Sequence, residues 1–179
     1  MGKLLRYGGT LLLVGMLLLG VSYAYAQPDR MLDLSYSELS IRDKLAAMLA
    51  NRRMEVVLTE YEVNELLKKT LADRAELREN WTLTGAQFKL KGNEWTADVN
   101  LMYKGKWPIG AKLFFTVDWQ DPYLTAVHTE TQIKQISIPM EWFQLQPLQI
   151  PLNDYLPKPA GVRNVTFQDD MVRLALRRR

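Results

Sequence analysis

The hydrophobic pattern divides the chain into three parts. From Tyr7 to Ala26 there are 20 residues without a charge, densest over Leu11 to Leu19, flanked by Lys3 and Arg6 on one side and Asp29 on the other. A bilayer core about 30 Å thick needs roughly 20 apolar residues in a helix. Tyr7, Tyr23 and Tyr25 stand where amphipathic aromatics meet lipid headgroups. The run therefore predicts a single-pass transmembrane anchor over 7–26. Residues 1–6 would lie in the cytoplasm, and everything beyond the run would lie outside the cell membrane. Ala24-Tyr25-Ala26 before Gln27 also fits a cleavage signal, so secretion after Ala26 is the competing reading. A buried helix is a third. Residues 27–36 read as a linker, and 37–179 as an extracytoplasmic domain.

Within that domain the period changes twice. Ser40 and Asp43 mark a helix start, and Leu39, Leu45, Ala46 and Leu49 suit one face of a helix ending near Arg53. Met54 to Leu58 is a short β-branched run, either a strand or an extended connection. Thr59 and Glu62 make a capping box, and Val63, Leu66, Leu67, Thr70 and Leu71 recur at helical spacing, predicting a helix over about 60–78. From Trp81 the period is two. Trp95, Ala97, Val99, Leu101 and Tyr103 alternate with polar positions, as do Ala111, Leu113, Phe115, Val117 and Trp119. With 81–91 and 123–136 they predict four long strands in a meander. A terminal hairpin, 162–167 with 171–176, turns at Gln168-Asp169-Asp170. Between meander and hairpin, prolines at 139, 147, 151, 157 and 159 forbid one continuous helix. Short helices near 140–144 and 152–156 would fit there. The predicted fold class is α+β: an N-terminal transmembrane helix, then a curved antiparallel sheet packed against one or two helices.

Composition removes much chemistry. There is no cysteine, so disulfides, cysteine-ligated zinc and thiol catalysis are excluded. The only histidine is His128, on an alternating strand, where a hydrogen-bonded or surface role is expected. A Ser-His-Asp triad would need it, and there is no Gly-x-Ser-x-Gly elbow. No phosphate-binding glycine loop is present either, and no cofactor or metal is expected. The net charge of +3 does not describe the domain, because residues 27–179 carry 21 basic and 20 acidic residues. Three of those basic residues are Arg177-Arg178-Arg179, read as a solubilising tail or a contact for a membrane or other anionic surface. A nucleic-acid partner has no electrostatic support. Carboxylates are plentiful enough to keep a hydrolase in view, but their separation in space decides that.

The aromatic residues change the picture most. Phe114 and Phe115 are adjacent on one strand and must point to opposite faces. Either helices and the Pro-rich segment simply cover the second face, or an apolar groove lies between sheet and helices. Phe88, Phe114, Phe115, Trp119, Trp142 and Phe143 are its candidate lining.

Several short patterns occur in a fixed order. They are the N-terminal apolar run, the Thr59 helix start with Asn64-Glu65-Leu66-Leu67, the long strands, Ile136-Ser137-Ile138-Pro139, and the closing hairpin. This layout resembles the YpmS-like family of membrane-anchored bacterial proteins and, more distantly, exported lipid-binding domains of the tubular type. The resemblance implies topology and an apolar ligand groove, and brings no catalytic residues with it. The expected function is a membrane-anchored, non-catalytic module that binds lipid or another amphiphile at the cell envelope. The alternative is a protein-interaction or accessory subunit of an envelope assembly, and a carboxylate-dependent hydrolase comes third.

Overall fold

The computed structural model describes residues 15–18, 20–37, 54–72, 76–156 and 160–178. Helical residues 15–18 and 20–26 form α1, and Glu60–Ala72 forms α2. Among the described residues there are ten strands, numbered in chain order: β1 Glu55–Thr59, β2 Glu76–Arg78, β3 Trp81–Lys91, β4 Glu94–Tyr103, β5 Trp107–Gln120, β6 Tyr123–Ile133, β7 Ile136–Ile138, β8 Leu148–Pro151, β9 Ala160–Phe167 and β10 Met171–Arg178. The larger sheet runs β2-β3-β4-β5-β6-β7, and β8 also pairs with β6. A smaller sheet runs β1-β10-β9.

The period-two pattern sets the register of the large sheet. Trp95 pairs with Leu90 and Phe115, Ala97 with Phe88 and Leu113, and Val99 with Ala86 and Ala111. Directly opposed residues share a face, so these rows build one apolar surface. Two bulges adjust it. An extra residue at Thr84 brings Gly85 opposite Asn100, and another at Thr129 places His128 opposite Phe115 and Thr131 opposite Leu113. The small sheet contributes Val56, Leu58, Val162, Val165, Val172, Leu174 and Leu176 to the same core. Trp95 meets Phe167 edge to face at 6.1 Å between ring centroids, joining the two sheets.

Three expectations are corrected. Among the described residues the fold is mostly β, 54% strand against about 20% helix, with a sandwich-like pair of sheets rather than one α+β sheet behind a transmembrane helix. The reason is β1: Val56 and Leu58 pair with Leu174 and Val172, so the terminal hairpin gains a third strand and its own sheet. Second, α2 ends at Ala72, and Glu76–Arg78 is already a strand. Third, no helix among the described residues is long and apolar enough to cross a membrane. The single-pass anchor and the localisation read from it are not supported. The predicted helix over 40–53 lies outside the described residues.

The segment read as a linker lies across the outer face of the large sheet. Gly85, Asn100 and Gly110 are opposed on β3, β4 and β5, and this row forms a shallow notch. Pro28 sits over Gly110 and Leu32 over Gly85. The Asn100 Nδ2 group donates to the Arg30 carbonyl at 2.8 Å, and the Ala86 amide donates to the Asp33 carbonyl at 3.3 Å. Lys134 pairs with Asp29 at one end of this strap. At the other end the Ser37 hydroxyl donates to Glu65 of α2 at 2.9 Å.

Candidate functional site

The apolar face of the large sheet is not fully covered. A cavity of about 680 Å³ remains between it, the C-terminal half of α2 and the segment 139–147. Its floor is Leu83, Phe88, Ala97, Val99, Leu113, Phe115, Leu124 and Ala126, with Trp95 at one side. Leu67, Thr70 and Leu71 form the helical wall. Met140, Phe143 and Leu145 close the roof, and Glu141, Gln144 and Gln146 bring polar groups to its rim. This volume suits a single small ligand, since such pockets run from about 300 to 1,000 Å³.

The roof is a flap whose two ends are fixed by the sheet. β7 pairs with Thr131–Ile133 and β8 with Tyr123–Ala126, both on the same edge of β6. The chain between them leaves that edge at Pro139 and returns at Pro147, neither of which offers an amide for pairing. Instead of the expected helix over 140–144 there is a turn closed by the Trp142 amide and the Pro139 carbonyl at 3.0 Å. Phe143 inserts beneath it, against the rings of Trp81 and His128. Trp142 next to it points outward and is 72% exposed.

His128 ties this flap to the sheet. The Leu145 amide donates to Nδ1 at 3.2 Å, and Nε2 lies 3.0 Å from the Glu130 carbonyl and 2.9 Å from the Thr131 hydroxyl. Since Nδ1 accepts, the neutral ring carries its proton on Nε2. Burial lowers its pKa from the usual 6.5, outweighing the Glu130 carbonyl, which favours the charged form. Both nitrogens are occupied, so the ring acts as a structural bridge.

The helical wall is held by three consecutive jobs on α2. The capping box forms: the Thr59 amide donates to Glu62 Oε2 at 2.9 Å, and the Glu62 amide to Thr59 Oγ1 at 3.4 Å. Beyond β2, the free edge of β3 would expose unpaired amides. Asn64 serves as a substitute strand there, accepting from the Phe88 amide at 2.6 Å and donating to the Phe88 carbonyl at 2.7 Å. Glu60, one turn earlier, accepts from the Leu90 amide at 2.9 Å. Glu65 turns the other way and holds the strap at Ser37. Buried backbone groups need such partners, and sheet edges need cover.

Of the six predicted groove residues, Phe88, Phe115 and Phe143 line the cavity together. Trp119 packs at the margin of the core outside the lining, Phe114 faces the opposite side of the sheet, and Trp142 is in solvent. Arg177 pairs with Asp121, Arg178 lies exposed opposite Ala160 at the sheet end, and Arg179 lies outside the described residues. Sequence reasoning passed over the small residues Ala97 and Ala126, whose short side chains leave the space open. Their place in alternating apolar rows was the available signal. No protein-family model, curated protein or solved structure matches this chain.

Proposed function

We propose that this chain is a non-catalytic module that binds lipid or another amphiphile in the cavity beneath the flap. The observation that carries this reading is the apolar cavity itself, which has an aliphatic and aromatic floor and polar groups only at its rim. An acyl chain buried there gains roughly 0.8 kcal/mol per methylene. The occupied nitrogens of His128 agree with a binding role rather than general-base chemistry. Kinship with the YpmS-like and tubular lipid-binding types is part of the same proposal. Asn64 and Glu65 of the quoted pattern hold the cavity's helical wall, and Ile136 to Pro139 lead into its roof. A second reading, a protein-interaction subunit, draws on the outward Trp142 and on Ile136, which is 56% exposed.

Filling the cavity separates the two. Ala126 has a short side chain on the floor, so Ala126→Trp should occupy the space a ligand needs. Native mass spectrometry of the full chain, incubated with a total lipid extract, should show lipid adducts on the wild type. The variant should lose them while keeping its circular dichroism spectrum. Equal adducts on both proteins, or none on the wild type, would sink the amphiphile reading.

A further inference from the structure

We infer that the ligand is a single-chain amphiphile with an uncharged, hydrogen-bonding head, such as a glycerol ester or a primary amide, and that Glu141 on the flap disfavours anionic heads. This rests on the amphiphile reading of the cavity and names the class of ligand. The floor offers a head group nothing to bond. The Trp95 indole N–H already donates to the Gly92 carbonyl at 3.1 Å. His128 and Thr131 are bonded to each other and to the backbone, and the Asn64 amide is committed to Phe88. A polar head buried there would lose its water without replacement, so it belongs at the rim and the chain belongs inside.

The rim then selects the head. The rim's polar residues are Glu141, Gln144 and Gln146 on the exposed part of the flap, with Thr70 on the helical wall. The Thr70 hydroxyl donates to the Leu66 carbonyl at 3.0 Å, so it can offer a ligand only acceptor lone pairs. Glutamine amides both donate and accept, and the carboxylate accepts only. A head bearing hydroxyl or amide N–H groups meets matching acceptors. A fatty-acid carboxylate meets Glu141, a like charge, and among the cavity's lining residues there is no Lys or Arg to neutralise it. The cavity's size agrees with one chain rather than a large multi-chain lipid.

The test compares a monoacylglycerol with the free fatty acid of the same chain. Full-length protein is titrated with each at about pH 8, where the acid is ionised, and affinities are read by native mass spectrometry and tryptophan fluorescence. The monoacylglycerol should bind at least tenfold more tightly. Glu141→Gln, at an exposed flap position, should raise fatty-acid affinity severalfold and so narrow the preference for the monoacylglycerol. Glu141→Lys should raise it further. Fatty acid binding as tightly as monoacylglycerol to the wild type overturns the inference while leaving the amphiphile reading intact. A preference unmoved by either Glu141 substitution also overturns it. Binding of neither probe, or binding of both that survives Ala126→Trp, overturns the reading beneath it.

Discussion

His128 is held by its surroundings in one protonation state. Its Nδ1 accepts the Leu145 amide, so an imidazolium there would place two N–H donors face to face. The charged group nearest in the chain is Glu130, whose carboxylate is turned toward Ser137 and Gln132, and Glu141 lies on the exposed part of the flap. Burial lowers the folded-state pKa below its unfolded value near 6.5. A base with a lowered folded pKa binds fewer protons when native than when unfolded. The stability it confers is therefore complete above the unfolded value and falls as pH drops through the window below it. Asp33, held down by the Ser35 hydroxyl and amide, and Glu130, held down by Ser137 and then Gln132, act in a separate and more acidic window. Their contribution is present above the ordinary carboxylate values and lost as pH falls through their lowered ones. Urea midpoints should accordingly decline for the wild type between about pH 7 and pH 5.5, the range of an unfolded histidine. His128→Gln should start from a lower midpoint and stay flatter across that range. Parallel declines in the two proteins would show that His128 titrates alike folded and unfolded.

At the scale of elements, the strap and the flap depend on what the sheet omits. Residues 28–37 can lie against the sheet only because Gly85 and Gly110 lack side chains. A Cβ on Gly85 would come within 2.2 Å of the Leu32 backbone, and one on Gly110 within 2.7 Å of Pro28 Cα. Both obstacles are backbone, which has little freedom to yield. Gly85→Ala should thus lift the strap and leave β3 paired with β4. Trypsin should then cut after Arg30 much faster than in the wild type, while hydrogen exchange in β4 and β5 barely changes. Unaltered cleavage would mean that the strap is already free in solution. The long strands and the start of α2 were legible in the sequence, because alternation and the Thr59 capping box are local signals. The strap was not. It consists of single contacts with partners 28 to 105 residues away, and neither Gly85 nor Gly110 looks unusual within its own strand. The flap was half legible. Its prolines excluded a long helix, but the turn that replaced the expected helix depends on Phe143 reaching Trp81 and His128. The same limit applied to the cavity. Phe115 was placed by the alternation of its strand and His128 shares the parity of Leu124 and Ala126, whereas the bulge at Thr129 that turns Thr131 inward has no sequence mark.

Over the whole molecule, the second sheet is what an α+β reading could not supply. Pairing β1 with β10 joins residues 55–59 to residues 171–175, a contact set by tertiary packing rather than by any local propensity. It makes the small sheet part of the cavity's support. Val56 and Val162 are fully buried, and their sheet meets the large one through Phe167 and Trp95, a cavity-lining residue. A core shared in this way should open as one unit. Val162→Ala tests that, because its methyl loss on β9 is far from β4 and β5 along the chain. Removing buried aliphatic bulk of this kind costs about 2 kcal/mol. If the sheets unfold together, the slowest-exchanging amides of β4 and β5 should lose protection by about that amount, equal to the loss in β9 and β10. Urea unfolding should remain a single transition with an unchanged slope. Were the small sheet an independent unit, β4 and β5 would keep their wild-type protection while β9 and β10 lost theirs. The cavity would then have a floor that persists when its support opens, and ligand affinity would be indifferent to the substitution.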